Sequence, residues 1–316
     1  MTNARSPLLL SGLLCLSMSV MAQDARLLVT EGDSLLAAAS PAKAMAKFNA
    51  AVQLSPSADT YAARSSGWYY MGKYDKFLED VRNALDRDSL NVRANHLRAL
   101  HALRTNDNPA AIHFATRAIE GSANKEQHLR AMIVRGEAEA ALGMTDKAIA
   151  DLSAGLEECR PEDTEVMKVL ARLLDAANDP AASLAVLEKL CEMEPGEIGN
   201  WSNRGFELIR LERFQEAVDV LDRALKLDKD EPVVLSNKAY AVLKLGRPDE
   251  AFTLVSHSLR SDKANPYALR TRALIYLRKG ERGKACDDLT LAKAMGGAPE
   301  VDALVKEHCA GLPTKP

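Results

Sequence analysis

Aromatic residues are scarce in this 316-residue chain: two tryptophans, seven tyrosines and six phenylalanines, 5% in all. Sheets draw on aromatic and β-branched side chains, so this composition argues against a β-sandwich or barrel. Glycine and proline are sparse too, 17 and 13, and fall at regular intervals among abundant alanine and leucine. That suits close-packed helices, and an all-α fold is the first expectation. An excess of one charge is also missing. Against 44 acidic residues stand 41 basic ones, interspersed, so no nucleic-acid partner is expected. Beyond the N-terminus no apolar run is long enough to span a bilayer. The histidines, at 96, 101, 113, 128, 257 and 308, form no i,i+4 pair and no His-Glu-x-x-His. The cysteines form no CxxC, and no glycine loop shaped for phosphate occurs. No metal and no cofactor are expected.

What is present begins with a leader. Arg5 and the amino terminus precede the short apolar run "LLLSGLLCLSMSVM", and Val20-Met21-Ala22 offers small residues before Gln23-Asp24. This is the layout of a signal peptide over 1–22, cut after Ala22. An uncleaved anchor is the alternative; lipid attachment at Cys15 is disfavoured, because Gly12-Leu13-Leu14 lacks the small residues expected before it. The expected product is exported, periplasmic or cell-envelope, with no stable membrane insertion. Four cysteines then remain, Cys159, Cys191, Cys286 and Cys309, an even number in a compartment that permits pairing.

Periodicity carries the fold. "WSNRGFELIRLERFQEAVDVLDRAL" from Trp201, "LSNKAYAVLKLGRPDEAFTLVSHSL" from Leu235 and "LRTRALIYLRKGERGKACDDLTLAK" from Leu269 start 34 residues apart. Gly205, Ala239 and Ala273 correspond, as do Ala217, Ala251 and Ala285, and Leu221, Val255 and Leu289. Apolar residues at three- and four-residue spacing place one buried face on each of two helices. The small residue marks where helix A crosses helix B, and Gly246 and Gly280 mark the turn.

The pattern resembles the tetratricopeptide repeat, of the bacterial secreted or periplasmic type. Followed backwards it gives eight copies, 25–57, 58–91, 92–125, 129–162, 164–197, 198–231, 232–265 and 266–296. The fifth is the weakest and has no turn glycine. In the fourth, Glu139 replaces a large apolar residue, and three extra residues near "EGSANKEQ" are expected to form a loop insertion. A capping helix over 298–309 and a flexible tail over 310–316 close the chain. The resemblance implies a right-handed α-solenoid of helix-turn-helix repeats, in which stacked neighbours complete each hairpin's core.

One tetrapeptide competes with this. Gly32-Asp33-Ser34-Leu35 resembles the nucleophile block of GDSL esterases. In the repeat phase, however, Gly32 is the helix-crossing residue and Ser34 lies mid-helix. The family's Asp-x-x-His is lacking, since Val305 stands three residues before His308, and Arg104 stands where Gly-x-Asn-Asp needs glycine. No catalytic residue is assigned, and the chain is expected not to be an enzyme.

Basic residues precede the crossing position in six copies: Arg64, Arg98, Arg135, Arg204, Lys238 and Arg272. Asp80, Asp151 and Asp288 stand at one helix-B position in copies two, four and eight, so inter-helix ion pairs are favoured over an anion-binding ladder. The resemblance implies a peptide-binding groove lined by helix A. Its positions fall on Ser202, Asn203, Phe206, Ile209 and Arg210; on Val233, Ser236, Asn237, Tyr240 and Lys244; and on Tyr267, Arg270, Leu274 and Arg278. Asn203 and Asn237 are equivalent, and such asparagines bond a ligand's backbone elsewhere in the family. An inner face that is merely solvated, its asparagines bonded within the chain, is the competing reading. Arg210, Lys244 and Arg278 hint at acidic or C-terminal ligands, although the two-carboxylate clamp of chaperone-binding members is not reproduced. Cys286 starts the last helix B and Cys309 ends the capping helix, so antiparallel packing is expected to join them in a disulfide. A Cys159–Cys191 bridge stays open. The function implied is a non-catalytic scaffold of the bacterial envelope that holds a protein or peptide partner in the groove. The alternative is an architectural subunit using its convex face or ends.

Overall fold

The computed structural model describes the backbone of residues 7–310 and the side chains of residues 20–310. Part of the expected leader and nearly all of the expected tail lie outside the described side chains. Among the described residues the chain forms seventeen helices and no strand, an all-α solenoid of helical repeats. It divides into two compact units, Met1–Val166 and Met167–Pro316.

Unit 1 contains four packed hairpins: α1 (Pro7–Ala37) with α2 (Pro41–Leu54), α3 (Ala58–Tyr70) with α4 (Tyr74–Leu85), α5 (Val92–Arg104) with α6 (Asn108–Gly121), and α7 (Lys125–Ala141) with α8 (Thr145–Glu158). The division falls within α9 (Thr164–Ala176). Unit 2 continues with α10 (Pro180–Met193), then α11 (Ile198–Arg210) with α12 (Phe214–Leu227), α13 (Pro232–Lys244) with α14 (Pro248–Ser261), and α15 (Pro266–Arg278) with α16 (Arg282–Ala294). The short α17 (Val301–His308) packs on α16.

Local chemistry explains where the helices start and stop. Prolines at the first turn of α2, α10, α13, α14 and α15 have no N–H to leave unpaired there. Side-chain oxygens of Asn91, Asp107, Asn124, Asp179 and Asn265 accept the free N–H groups of the helices they precede. Each tight turn contains one left-handed residue. Gly72, Gly143, Gly246 and Gly280 supply it in some turns; Ala39, Asn106, Asn178 and Glu212 are forced into it in the others. The fifth copy's missing glycine is thus replaced by Asn178 at φ 61°. The α6–α7 connection corrects an expectation. Only residues 122–124 separate those helices, and the extra residues lengthen α7 to 17 residues instead of forming a loop.

Small residues set the packing distance. A Cβ on Gly32 would lie 2.4 Å from the Phe48 ring, and one on Gly205 2.5 Å from Leu221. Both partners are fully buried. In unit 2 the apolar side chains join into one cluster that runs from Leu184 through Leu221, Val255 and Leu289 to Val301 of the capping helix.

The basic residues behave as ion-pair partners, in two directions. Arg64 meets Asp80 through two bonds of 2.7 Å, Arg135 meets Asp151 at 2.6 and 3.0 Å, and Arg272 meets Asp288 through two of 2.7 Å, each within one hairpin. Arg204 and Lys238 instead reach back to Glu188 (3.2 Å) and Asp222 (2.5 Å) on the preceding B helix. Arg98 has neither partner; it lies over the Phe114 ring and meets His101 Nδ1 at 3.2 Å. At the far end a disulfide joins Cys286 to Cys309, Cα atoms 5.6 Å apart, and Arg282 donates to the carbonyls of His308 and Ala310. Cys159 and Cys191 are free thiols.

Candidate functional site

The expected groove residues sit on α11, α13 and α15, which pack consecutively in unit 2. Phe206, Ser236, Asn237 and Tyr267 line two adjoining cavities of about 290 and 370 Å³. The smaller also takes in Ile209, Arg210, Tyr240, Lys244 and Arg270, and the larger Ser202, Asn203 and Val233. Leu274 and Arg278 line neither. Leu274 packs half-buried against the apolar cluster, and Arg278 donates to the Leu243 carbonyl at 3.4 Å. A third cavity, of about 530 Å³, shares Asn203 and Phe206 and extends to Lys168 and Arg172 of α9.

The asparagines are positioned by the 34-residue offset. Neither Asn203 nor Asn237 makes a side-chain hydrogen bond among the described residues, although Asn237 is only 8% exposed. Thr271, the next residue at that offset, turns its hydroxyl to the Tyr267 carbonyl at 2.9 Å. Two amides therefore face the cavities with free donors and acceptors. Phe206 and Tyr267 meet edge to face, ring centroids 6.1 Å apart, and Val233 is an exposed apolar side chain beside them.

Charge is arranged unevenly. Arg210 is neutralised by Asp175 at 2.5 Å and Glu207 at 3.1 Å, and it also donates to Asn178 at 2.6 Å. Burial pushes the Glu207 carboxyl above its ordinary range, against the opposing pull of Ser183 and Arg210. Arg270 is 6% exposed and meets no carboxylate among the described residues; it stacks on Tyr240 at 4.1 Å and lies near Tyr267 at 5.7 Å. Burial lowers its guanidinium pKa, yet a guanidinium stays charged at neutral pH.

Asp175, Glu207, Asp262 and Asn265 also line the site and escaped the sequence reading. Asp175 and Glu207 are visible only through Arg210, whose partners the fold selects. Unit 1 has a further cavity of about 670 Å³, lined by α1 and the starts of α3 and α5. There Arg93 holds Asp33 through bonds of 3.0 and 2.6 Å, and Asn91 donates to Asp59 at 2.8 Å. The groove positions expected from the sequence lie only on the last three copies and do not include this cavity. Ser34 lies inside α1 and donates to the Thr30 carbonyl at 3.0 Å, so the esterase-like tetrapeptide has no nucleophile geometry. Among the described residues no group of three histidines, cysteines or carboxylates is placed to hold a metal ion, and no helix is long and apolar enough to cross a membrane.

Two models of the tetratricopeptide repeat match the chain, over residues 69–127 and 208–275. No curated protein sequence matches. Among solved structures the chain is similar to YrrB, described as a tetratricopeptide repeat protein with an unusual peptide-binding site. The TM-score is 0.55 at 14% identity, over 61% of this chain and 97% of that one. Weaker likenesses, both with a TM-score of 0.48, are to MamA of AMB-1, 20% identical over 56% of this chain and 94% of that one, and to the Cut9–Hcn1 hetero-tetramer of the APC/C, 18% identical over 89% and 55%. At such identities the first likeness speaks to the fold alone, and the other two add nothing to it. The two matched segments carry tetratricopeptide repeats, and they lie within a run of similar helical hairpins.

Proposed function

We propose that the chain is a protein–protein interaction scaffold that holds a partner segment against α11, α13 and α15. The observation that carries this is the pair of equivalent amides, Asn203 and Asn237, unbonded among the described residues and facing cavities bordered by Phe206 and Tyr267. Free amides can bond the backbone of an extended segment, while flat rings anchor its side chains. Eight repeat copies with the boundaries given above belong to the same reading, as does service in a bacterial envelope. The leader-like N-terminus and the Cys286–Cys309 disulfide support the latter, because disulfides persist in oxidising compartments.

Site-specific photocrosslinking in cells tests it. A photoreactive residue at Val233 is expected to capture a partner that is lost when Asn203→Ala and Asn237→Ala are added. Crosslinking only from Asp219, exposed on α12, would transfer the working surface to helix B and favour an architectural subunit.

A further inference from the structure

The buried guanidinium of Arg270 lacks the carboxylate that Arg64, Arg135, Arg210 and Arg272 each hold. Arg64, Arg135 and Arg272, their side chains 24%, 24% and 27% exposed, each hold an aspartate through two bonds, and Arg210, at 22%, holds two carboxylates. Arg270 is more buried than any of them, at 6%. Its one hydrogen bond among the described residues runs from Nη1 to the Pro299 carbonyl at 3.3 Å, and its buried Nε has no acceptor. A buried cation without a carboxylate in contact is unfavourable, and stacking on Tyr240 with the more distant charge of Glu300 offsets only part of the deficit.

A second orphan lines the same cavity. Ser236 is 1% exposed and its hydroxyl has no partner. The carbonyl one turn back, on Pro232, is taken by Ser258 Oγ at 2.7 Å. Lys244 adds a second cation over the Tyr240 ring, 5.2 Å from its centroid, and forms no salt bridge among the described residues. The cavity's own acids are Glu212 and Glu300; Glu300 is near enough to act on Arg270 through its charge, but among the described residues neither acid forms a salt bridge with Arg270 or Lys244. At about 290 Å³ the space suits one side chain of a larger ligand more than a whole small molecule.

We propose that this cavity is the seat for an acidic side chain, aspartate or glutamate, of the bound partner. Its carboxylate accepts from Arg270 and from the Ser236 hydroxyl, with Lys244 at the mouth. Resting on the groove reading above, the inference names the chemistry the groove selects. A guanidinium offers a carboxylate two parallel donors, and the surrounding rings exclude competing water. Glu300 belongs to the segment that leads into α17 and borders the cavity, so its carboxylate repels an incoming one.

The test uses the full chain and an array of short peptides, acetylated and amidated so that side chains supply the only carboxylates. A matched array carries Asn and Gln in place of Asp and Glu. Binders are expected to contain an acidic residue whose conversion to the amide weakens binding by at least about tenfold. Arg270→Gln should give a similar loss, Lys244→Gln a loss of about threefold, and Glu300→Gln a gain of about threefold, each only for the acidic form. Should Arg270→Gln unfold in circular dichroism, Lys244→Gln, Glu300→Gln and the ligand charge series decide the matter, since both residues are at the rim. Peptides that bind equally as acid and amide, yet weaken with Asn203→Ala and Asn237→Ala, overturn the inference and leave the groove standing. Binding that needs a free C-terminus instead overturns the choice of a side chain. Binding to neither array overturns both proposals.

Discussion

Glu212 sits at φ 57° in the turn between α11 and α12, where Gly246 and Gly280 sit at 79° and 74° in the next two turns. The left-handed region crowds a Cβ by about 1 kcal/mol or more, a strain glycine avoids. Glu212→Gly is therefore expected to raise stability slightly, and Gly246→Ala to lower it by about 1 kcal/mol, both read from urea midpoints. The same turn position was plainly legible in the sequence only where glycine fills it. Asn106 and Asn178 carry a weaker signature, since asparagine tolerates the left-handed region, whereas Ala39 and Glu212 carry none, because the hairpin and not their chemistry imposes it. The ion pairs give a larger effect. Asp151 is 6% exposed, and Arg135→Ala would leave its carboxylate buried and alone. A loss of about 3 kcal/mol is expected, and Asp151→Leu added to it should recover part of that. An unchanged melting temperature in Arg135→Ala would refute the structural role.

Among the elements, α17 depends most on a covalent link. It has eight residues, a single buried apolar anchor in Val301, and a left-handed Glu300 at its start. Eight residues are too few for an isolated helix, so contact with α16 and the Cys286–Cys309 bond must hold it. The bond closes a loop with a sequence separation of 23, which contributes about 3 kcal/mol in the chain-entropy model. Cys286→Ser with Cys309→Ser should lower Tm, and the amides of α16 and α17 should lose hydrogen-exchange protection first. Uniform loss across unit 2 would show that the cap does not fray separately. The repeat phase sufficed to bring these cysteines together, since both positions follow from helix order. It did not give the extension of α7, whose added first turn, Lys125 to His128, is polar and carries no apolar signal.

At the scale of the whole chain, buried groups of opposite acid response set how stability depends on pH. In unit 1, burial beside Arg130 and Arg160 lowers the His96 pKa to about 4. Its folded pKa lies below the unfolded 6.5, so the unfolded chain binds the extra proton between those values and stability falls as pH drops through that window. The loss should reach roughly 2 kcal/mol by about pH 5. Glu137 and Glu139 in unit 1 and Glu207 in unit 2 have raised pKa values, so protonation in the same direction favours their folded forms and opposes the histidine. Hydrogen exchange of α5–α8 at pH 7 and pH 5 should therefore show a smaller loss of protection in His96→Leu than in the parent chain. An equal loss in both would refute the assignment.

The one-dimensional pattern by itself determined the helical class, the 34-residue hairpin and which small residues let helices touch. Those features arise from contacts within a hairpin or between neighbours, and such contacts repeat along the chain at fixed offsets. Tertiary structure alone decided which charges were left over. The Arg64–Asp80 pairing recurs at a fixed offset and is legible in sequence, but of the other helix-A arginines Arg204 finds a glutamate behind, Arg210 two carboxylates and Arg270 none. Their partner choice depends on distances between packed helices, and burial fixes what an unmatched charge costs. Those are properties of the packed molecule, to which a repeating sequence offers no guide.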